Sequence, residues 1–520
     1  MAPLGRRKFI ITGGAATLGL SLASLAWPKR ARARGFGELI ADPAGILDLP
    51  EGFSYQILET VGDTMDDGYR TPGNPDGMAC FVGPANTLIL MRNHEVSIGD
   101  LANGPYALGQ QPAAEAYEPA AIGGVSRLVV DATSFARISS NLVLVGTIRN
   151  CAGGPSPWGW LSCEENIQIN GSYRHGYTFA CPIDAASVQP PQRIDGYGRF
   201  NHEAVAVDPS NYHAYLTEDR GDSCLYRFVP DAMAEPFVGR LQALKVVAVD
   251  EYETGTMAEG EVVEIEWVDI DQPDPNGDTL RTEAQGKGAA IFVRGEGIWF
   301  FEGQVYICST SGGEIGKGQI FRLIDGETPT LELVVQSTNI DELEMPDNIT
   351  VAPWGELFLV EDGDGDNYVR WVTAEGQICS FARNALSDSE LTGVCFSPDG
   401  KAMFVNIQAE GLTLVVTGPF PELGMPGDGD GDSDSSDSTD TTSDSTSSDS
   451  GSTGGGSGSE GMGDEVAGES DSTGQETGDA GIVDADDGCN CTTTGESSGL
   501  GAMVTGLATL ALGALVREPA

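Results

Sequence analysis

Ile349-Thr-Val-Ala-Pro353-Trp-Gly-Glu-Leu-Phe-Leu-Val-Glu361-Asp362 reads as an apolar strand, a turn built on Pro353 and Gly355, and a second apolar strand that runs into two acids. The phrase recurs in Ala79-Cys-Phe-Val-Gly-Pro84-Ala-Asn-Thr-Leu-Ile-Leu-Met-Arg-Asn93-His94-Glu95 and in Ala204-Val-Ala-Val-Asp-Pro209-Ser-Asn-Tyr-His-Ala-Tyr-Leu-Thr-Glu218-Asp219. Gly393-Val-Cys-Phe-Ser-Pro398-Asp-Gly-Lys-Ala-Met-Phe-Val-Asn406 is a fourth copy. The apolar runs are short, lack a helical period and flank a Pro/Gly turn, so each phrase predicts a β-hairpin. Hairpins of one kind recurring through a long chain are the sequence form of a propeller blade. Residues 35–426, divided among four-stranded blades, give about six. The predicted fold is all-β, a six-bladed β-propeller, with a pair of large β-sandwiches as the alternative.

Outside that body the composition changes abruptly. The 520 residues hold 28 Lys and Arg against 78 Asp and Glu, a formal charge of −50. Such an excess of acid repels a phosphate backbone and excludes sequence-independent binding of nucleic acid. Residues 1–34 carry seven basic residues and no acidic one. Arg6-Arg7-Lys8-Phe9, the apolar run Ile10 to Ala26 and Ala31-Arg-Ala33 read as the n-region, h-region and cleavage site of an exported protein, and the paired arginine resembles a twin-arginine signal. A membrane anchor is the alternative, although the run falls short of a full span. Residues 427–488 are Asp, Ser, Gly and Thr with almost no large apolar residue, and predict a disordered, self-repelling acidic linker. Its opening, Asp428-Gly-Asp430-Gly-Asp432-Ser-Asp434, has calcium-loop spacing without the closing Glu and reads as a solvated spacer. Residues 489–520 contain Cys489, Cys491, a mostly apolar run from Leu500 to Val516 and Arg517, which resembles a C-terminal sorting tail. These ends predict a protein of the periplasm or cell surface, tethered to the envelope.

Three of the four second strands finish in carboxylates: Glu95, Glu218 with Asp219, and Glu361 with Asp362. Radial symmetry would bring matching positions to one end of a central channel. Carboxylates in contact stay ionised only with cations between them, and clusters of oxygen suit calcium and other hard cations. Solvated strand ends in an acidic protein are the plainer reading of the same residues.

Several further segments are too idiosyncratic for fold background. They are Asn150-Cys-Ala-Gly-Gly154-Pro-Ser-Pro157-Trp158-Gly-Trp160-Leu-Ser-Cys163-Glu164-Glu165-Asn166, Gly198-Arg-Phe-Asn-His202-Glu203, Tyr215-Leu-Thr-Glu-Asp-Arg220, Arg294-Gly-Glu296, Asp347-Asn348 and Glu390-Leu-Thr-Gly-Val-Cys-Phe-Ser-Pro-Asp-Gly400. Together they resemble the PhoX-type alkaline phosphatases, from about Asp76 to about Pro419. The resemblance implies a six-bladed propeller, exported by the twin-arginine route, that hydrolyses phosphomonoesters with ferric iron (Fe3+) and calcium (Ca2+) on the propeller axis. On this chain it implies Cys163 as the lone thiolate on an iron pair, with Glu164, Glu203, Glu296 and a carboxylate from Glu218 and Asp219 around it. Asn93, Glu95, Asp347, Asn348 and Glu361 would share the calcium shell. Arg294 would fork onto phosphate oxygens, joining Cys163 in the catalytic set. The implied chemistry is metal-ion catalysis on a dianionic ester, with no Ser or His nucleophile.

Each of these residues also has a plainer reading. Cys163 fits a buried apolar site or, with eight Cys in the body of an exported chain, half of a disulfide. His202 fits a hydrogen bond in the core, and Arg294 a structural ion pair. Gly312-Gly-Glu-Ile-Gly-Lys317-Gly is one residue short of a phosphate loop and has Gly where Ser or Thr would hold magnesium, so it is set aside. For function, the alternatives are a calcium-dependent propeller hydrolase such as a lactonase, and a non-catalytic surface binding propeller. The sequence as a whole reads best as an exported metal-dependent phosphomonoesterase with a monomeric catalytic domain, since a closed propeller leaves no edge to pair.

Overall fold

All four quoted hairpins form in the computed structural model, which describes residues 36–373 and 376–421. The predicted signal segment at 1–34, the acidic linker at 427–488 and the C-terminal segment at 489–520 lie outside the described residues. The hairpins pair Pro75–Val82 with Thr87–His94, His202–Val207 with Ala214–Glu218, Pro346–Val351 with Leu357–Glu361, and Leu391–Phe396 with Ala402–Ile407. Two more of the same kind pair Asn150–Ser156 with Gly159–Glu164 and Gly295–Phe301 with Gln304–Ser309. Their turns are only two residues long. Glu302 and Gly303 sit at φ 47° and 82°, the positive pair that a tight hairpin needs to match strand twist.

Each hairpin grows outward by further antiparallel strands. Gly123–Asp131 and Arg137–Thr147 complete the first sheet, and Thr178–Cys181 and Gln192–Ile194 the second. One nine-stranded sheet runs outward from His202–Val207 through Val262–Asp269 and back inward to Gly295–Phe301. The sheet that starts at Pro346–Val351 ends by adding the N-terminal strands Leu47–Pro50 and Leu39–Ile40. The innermost strands touch in sequence, and Leu391–Phe396 packs back on Pro75–Val82, so the arrangement is propeller-like and closed. Strands here are near-continuous apolar runs because each sheet is covered on both faces by its neighbours. One such layer packs Leu90, Leu128 and Val130 against Cys395, Phe404 and Val415. Among the described residues the only α-helix is Leu280–Gln285, and none is long and apolar enough to cross a membrane.

Closure joins the two ends of the body. Ser54–Thr60 pairs with Leu412–Thr417, and Glu59 on that strand is buried with Arg92. Arg92 Nη2 donates to Glu59 Oε2 at 2.6 Å and to Ser126 Oγ at 3.0 Å, and Nη1 donates to Thr413 Oγ1. Ser140 Oγ donates to the other Glu59 oxygen at 2.6 Å. Removing Glu59 strands the buried Arg92 charge, at a cost of about 3–5 kcal/mol, whereas losing Arg92 leaves Glu59 with Arg137 Nε at 3.1 Å from its other oxygen. Glu59→Gln and Arg92→Met are each expected to lower the Tm, the first more strongly, and the double variant to lose less than the sum of the two. Two single variants with wild-type Tm would reject this pair as the latch.

Candidate metal centre

In all six hairpins the register between first and second strand slips at one equivalent place. The slips lie between Pro75 and Met78, Asn150 and Gly153, His202 and Val205, Gly295 and Ile298, Pro346 and Ile349, and Thr392 and Cys395. A bulge re-aims a side chain out of the strand's alternation. The first residues inside the slips are Asp76, Cys151, Glu203, Glu296, Asp347 and Gly393, so five of the six offer a metal-ligand group at the same level of the ring. The residues that follow are small in four cases: Gly77, Ala152, Ala204 and Gly297. A Cβ on Gly77 would lie 2.6 Å from Ala152 Cα, and one on Gly297 would lie 2.6 Å from Asp347 O. Backbone thus packs closely next to the ligand residues, around a small cavity of about 20 Å³ lined by Gly77, Ala152, Gly297 and Gly393.

The ligand atoms of Asp76, Glu95 and Cys151 lie within 4.8 Å of one another, as do those of Cys151, Glu165 and Glu203, and those of Glu203, Glu296 and Asp347. Sharing Cys151 and Glu203, the three groups form one continuous array. Glu95 and Glu165 each follow the end of a second strand, as do Asp219 and Asp362. Burial first, and then the neighbouring negative charges, hold Glu203, Glu296 and Asp347 well above the usual carboxylate range. Asp76 is pushed up to about 7 by burial and by Glu95. Glu165 is pushed up to about 8 by burial, with Arg149 opposing and Asp219 and Glu95 adding to it. Burial and the charge of Asp76 likewise raise the Cys151 thiol. Glu203 Oε1 is buried with no hydrogen-bond partner. Protons alone satisfy such a set poorly; a mixed oxygen and thiolate shell around more than one cation fits it.

A family model described as Alkaline phosphatase PhoX matches residues 34–141 and 134–411. The chain belongs to the PhoX alkaline phosphatase family. Among solved structures, Pseudomonas fluorescens PhoX in complex with vanadate, a transition state analogue, is similar at TM-score 0.60 and 19% identity, covering 74% of this chain and 98% of that one. A gluconolactonase of Xanthomonas campestris gives TM-score 0.38 at 13% identity, covering 75% and 100%. A virginiamycin B lyase of Staphylococcus aureus gives 0.34 at 12%, covering 70% and 99%. No curated protein matches by sequence. Membership in the PhoX family makes the chain a metal-dependent phosphomonoesterase.

Of the ligands expected from the sequence, the three groups contain Glu95, Glu203, Glu296 and Asp347. Asp219 and Arg294 stand beside them: Arg294 Nε donates to Asp219 Oδ1 at 2.8 Å, and its Nη2 to Asp219 Oδ2 at 3.1 Å and Glu296 Oε1 at 2.9 Å. Cys163 lies apart from these residues. It is fully buried in an apolar cluster with Leu161, Ala180 and Phe200, its Sγ 3.5 Å from Thr178 Oγ1, and it belongs to none of the three ligand groups. The thiol in the array is Cys151. All eight cysteines of the described residues are free.

Glu164, Glu218 and Glu361 lie outside the three groups for a shared reason. Each ends its strand and finds a partner on the side away from the array. Glu164 Oε1 lies 2.6 Å from His175 Nδ1, Glu218 Oε2 accepts from Tyr226 OH at 2.8 Å, and Glu361 Oε1 accepts from Arg370 Nε at 3.0 Å. Strand alternation turns the next residue the other way, and the next residues are Glu165, Asp219 and Asp362. Asn93 and Asn348 lie outside the three groups and hold backbone beside them, with Asn348 Nδ2 also donating to Asp347 Oδ1 at 3.2 Å. Asn93 Nδ2 donates to Cys151 O at 3.1 Å and Ala152 O at 2.5 Å, and Asn348 Oδ1 accepts from Gly393 N at 2.5 Å. His202 stacks on Phe200 and sits 3.0 Å from Gly198 O. Asp76, Cys151 and Glu165 were missed by the sequence reading; their common signal is an acid or Cys two residues into an inner strand, or one residue past a second strand.

Cys151→Ser is expected to cut bound metal and phosphatase activity at least tenfold, while Cys163→Ala keeps the metal content of the wild type. Elemental analysis of both purified variants checks this, and the opposite order restores Cys163 to the site. His175, between Glu164 and Glu118 (2.6 and 2.8 Å), makes a second case. Burial lowers an imidazole pKa, but hydrogen bonds and charges from Glu164 and Glu118 outweigh it, so His175 titrates above its usual 6.5. A raised folded-state pKa contributes stability that is complete below 6.5 and is lost as pH rises through the folded value. His175→Gln should therefore show its largest Tm deficit at mildly acidic pH and a smaller one at alkaline pH; a deficit independent of pH would show that the imidazole is neutral.

Proposed function

We propose that the chain is an exported alkaline phosphatase holding iron and calcium on the axis of six blades. The nine-stranded sheet counts as two blades joined through Val262–Asp269. The observation that carries the metal assignment is the continuous array of Asp76, Cys151, Glu203, Glu296 and Asp347 with Glu95 and Glu165, seven groups with one thiol among hard oxygens. Cys151, Glu165, Glu203 and Glu296 suit iron, which accepts thiolate beside carboxylate; Asp76, Glu95 and Asp347 suit calcium. When bound, the cations supply positive charge to a dianionic ester and its leaving oxygen.

The rest falls to the chain's own side chains. Arg294, held by Asp219 and Glu296, presents a planar fork to phosphoryl oxygens, which Lys does not reproduce. Export is supported by Arg6-Arg7 and the apolar run behind it, and an envelope tether by the acidic spacer and the Cys-plus-apolar C-terminal segment. A monomeric catalytic domain follows from a ring that closes on itself.

Purified protein is expected to contain iron and calcium by elemental analysis, to cleave p-nitrophenyl phosphate, and to lose that activity on chelation. Full activity in protein stripped of metals would sink the proposal.

A further inference from the structure

We infer that Arg149 is a second phosphate-binding arginine of this site, the counterpart of Arg294; the inference rests on the phosphatase reading. The two occupy the same position, one residue before an inner strand and two residues ahead of its bulged ligand, Cys151 and Glu296. Both have left-handed backbone, φ 49° and 52°, a conformation that Asn74 (43°) and Met345 (49°) share at the equivalent positions of two other inner strands, so the entry to these strands sets the direction in which the side chain leaves.

Their partners match as well. Arg149 Nε donates to Glu95 Oε1 at 3.0 Å, and its Nη2 lies 2.8 Å from the same oxygen and donates to Glu165 Oε2. It therefore spans two of the three ligand groups, as Arg294 ties Asp219 to Glu296. The two guanidinium side chains are 20% and 17% exposed, whereas the four carboxylates they hold are at most 5% exposed. The arginines are thus the solvent-facing layer over the acids.

The inner strand between them, His202–Val207, carries Asn201 at the equivalent position, and Asn201 Nδ2 donates to Glu165 Oε1 at 3.0 Å and Asp219 O at 3.2 Å. Three successive inner strands thus set Arg149, Asn201 and Arg294 along one arc of the rim. The other three place Asn74, Met345 and Leu391 there, none of them charged. Arg220, a further cation near Glu165, pairs with Asp278 at 3.1 Å. A phosphoryl dianion has three oxygens to satisfy, and two forks spaced along one arc can each take an edge of it.

The test compares wild-type holoprotein with Arg149→Lys and Arg149→Gln, with inorganic phosphate as the probe. Lys keeps the charge over Glu95 and Glu165 but lacks the fork. Arg149→Lys is expected to retain wild-type metal content, to raise the inhibition constant for phosphate and the KM for p-nitrophenyl phosphate by about 10- to 100-fold, and to show a smaller phosphate-induced rise in Tm. Wild-type phosphate affinity in Arg149→Lys overturns the inference, as does a loss in Arg149→Gln that tracks lost metal and is fully restored by Lys. A measurement free of variants uses phenylglyoxal and peptide mapping of the wild type, where phosphate should protect both Arg149 and Arg294. Protection of Arg294 alone removes Arg149 and leaves the phosphatase reading standing; protection of neither arginine, with no ester turnover, removes that reading.

Discussion

A carboxylate taken out of water must find a proton, a cation or a full set of donors, and the axis of this protein buries a whole array of them together. Asp76, Glu165, Glu203, Glu296 and Asp347 are each at most 6% exposed, and neighbours of like charge lie within contact distance. Local architecture follows from bringing them there. The repeated bulge turns one side chain per inner strand toward the axis, and small residues directly after it let neighbouring backbones pack closely. The strand at Leu391–Phe396 is the exception, with Gly393 in the ligand position at φ +65°, where a Cβ would meet Asp76 O at 2.4 Å. Its absent side chain makes room for the Asp76 strand, so even the position without a ligand serves the array.

The same constraint explains how acidic pairs at strand ends divide their labour. In Glu164-Glu165, Glu218-Asp219 and Glu361-Asp362, the first acid turns away from the array and meets His175, Tyr226 or Arg370, while the second faces the array. Convergence of these strand ends was legible from the sequence, because it needs only repetition and radial geometry. Which member of each pair converges was not, because it depends on where the strand ends, and an error of one residue reverses the face.

Legibility of the fold divides in a similar way. Hairpins with a Pro or Gly in a long turn announce themselves, as at Pro84, Pro209, Pro353 and Pro398. Those at Asn150–Glu164 and Gly295–Ser309 turn within two residues, on Pro157-Trp158 and Glu302-Gly303, too short a turn to match the longer repeated phrase, although they carry Cys151 and Glu296. Cys163 drew attention because two acids follow it, yet it lies on a regular strand opposite Thr178 and packs in the core. Cys151 precedes Ala, Gly and Gly, a run without acids, and only the slip between Asn150 and Gly153 aims it inward. A bulge has no strong residue signature when the extra residue is in an ordinary conformation, so the ligand position followed from pairing rather than from composition.

One strand links closure of the ring to the array. Along Thr87–His94, Arg92 and His94 face one way and both reach Ser126 Oγ, with Arg92 continuing to Glu59 and Thr413 on strands from opposite ends of the body. Asn93, between them, faces the other way, takes the Trp160 indole N–H at 2.7 Å and holds the carbonyls of Cys151 and Ala152. Glu95, the next acid, enters the ligand array itself. The latch and the clamp on the bulge are therefore consecutive residues on opposite faces of a single strand, and the second strand of the first hairpin cannot shift register without releasing both. The strand that holds the carbonyl of Cys151 is thus the strand whose opposite face ties the two ends of the body together.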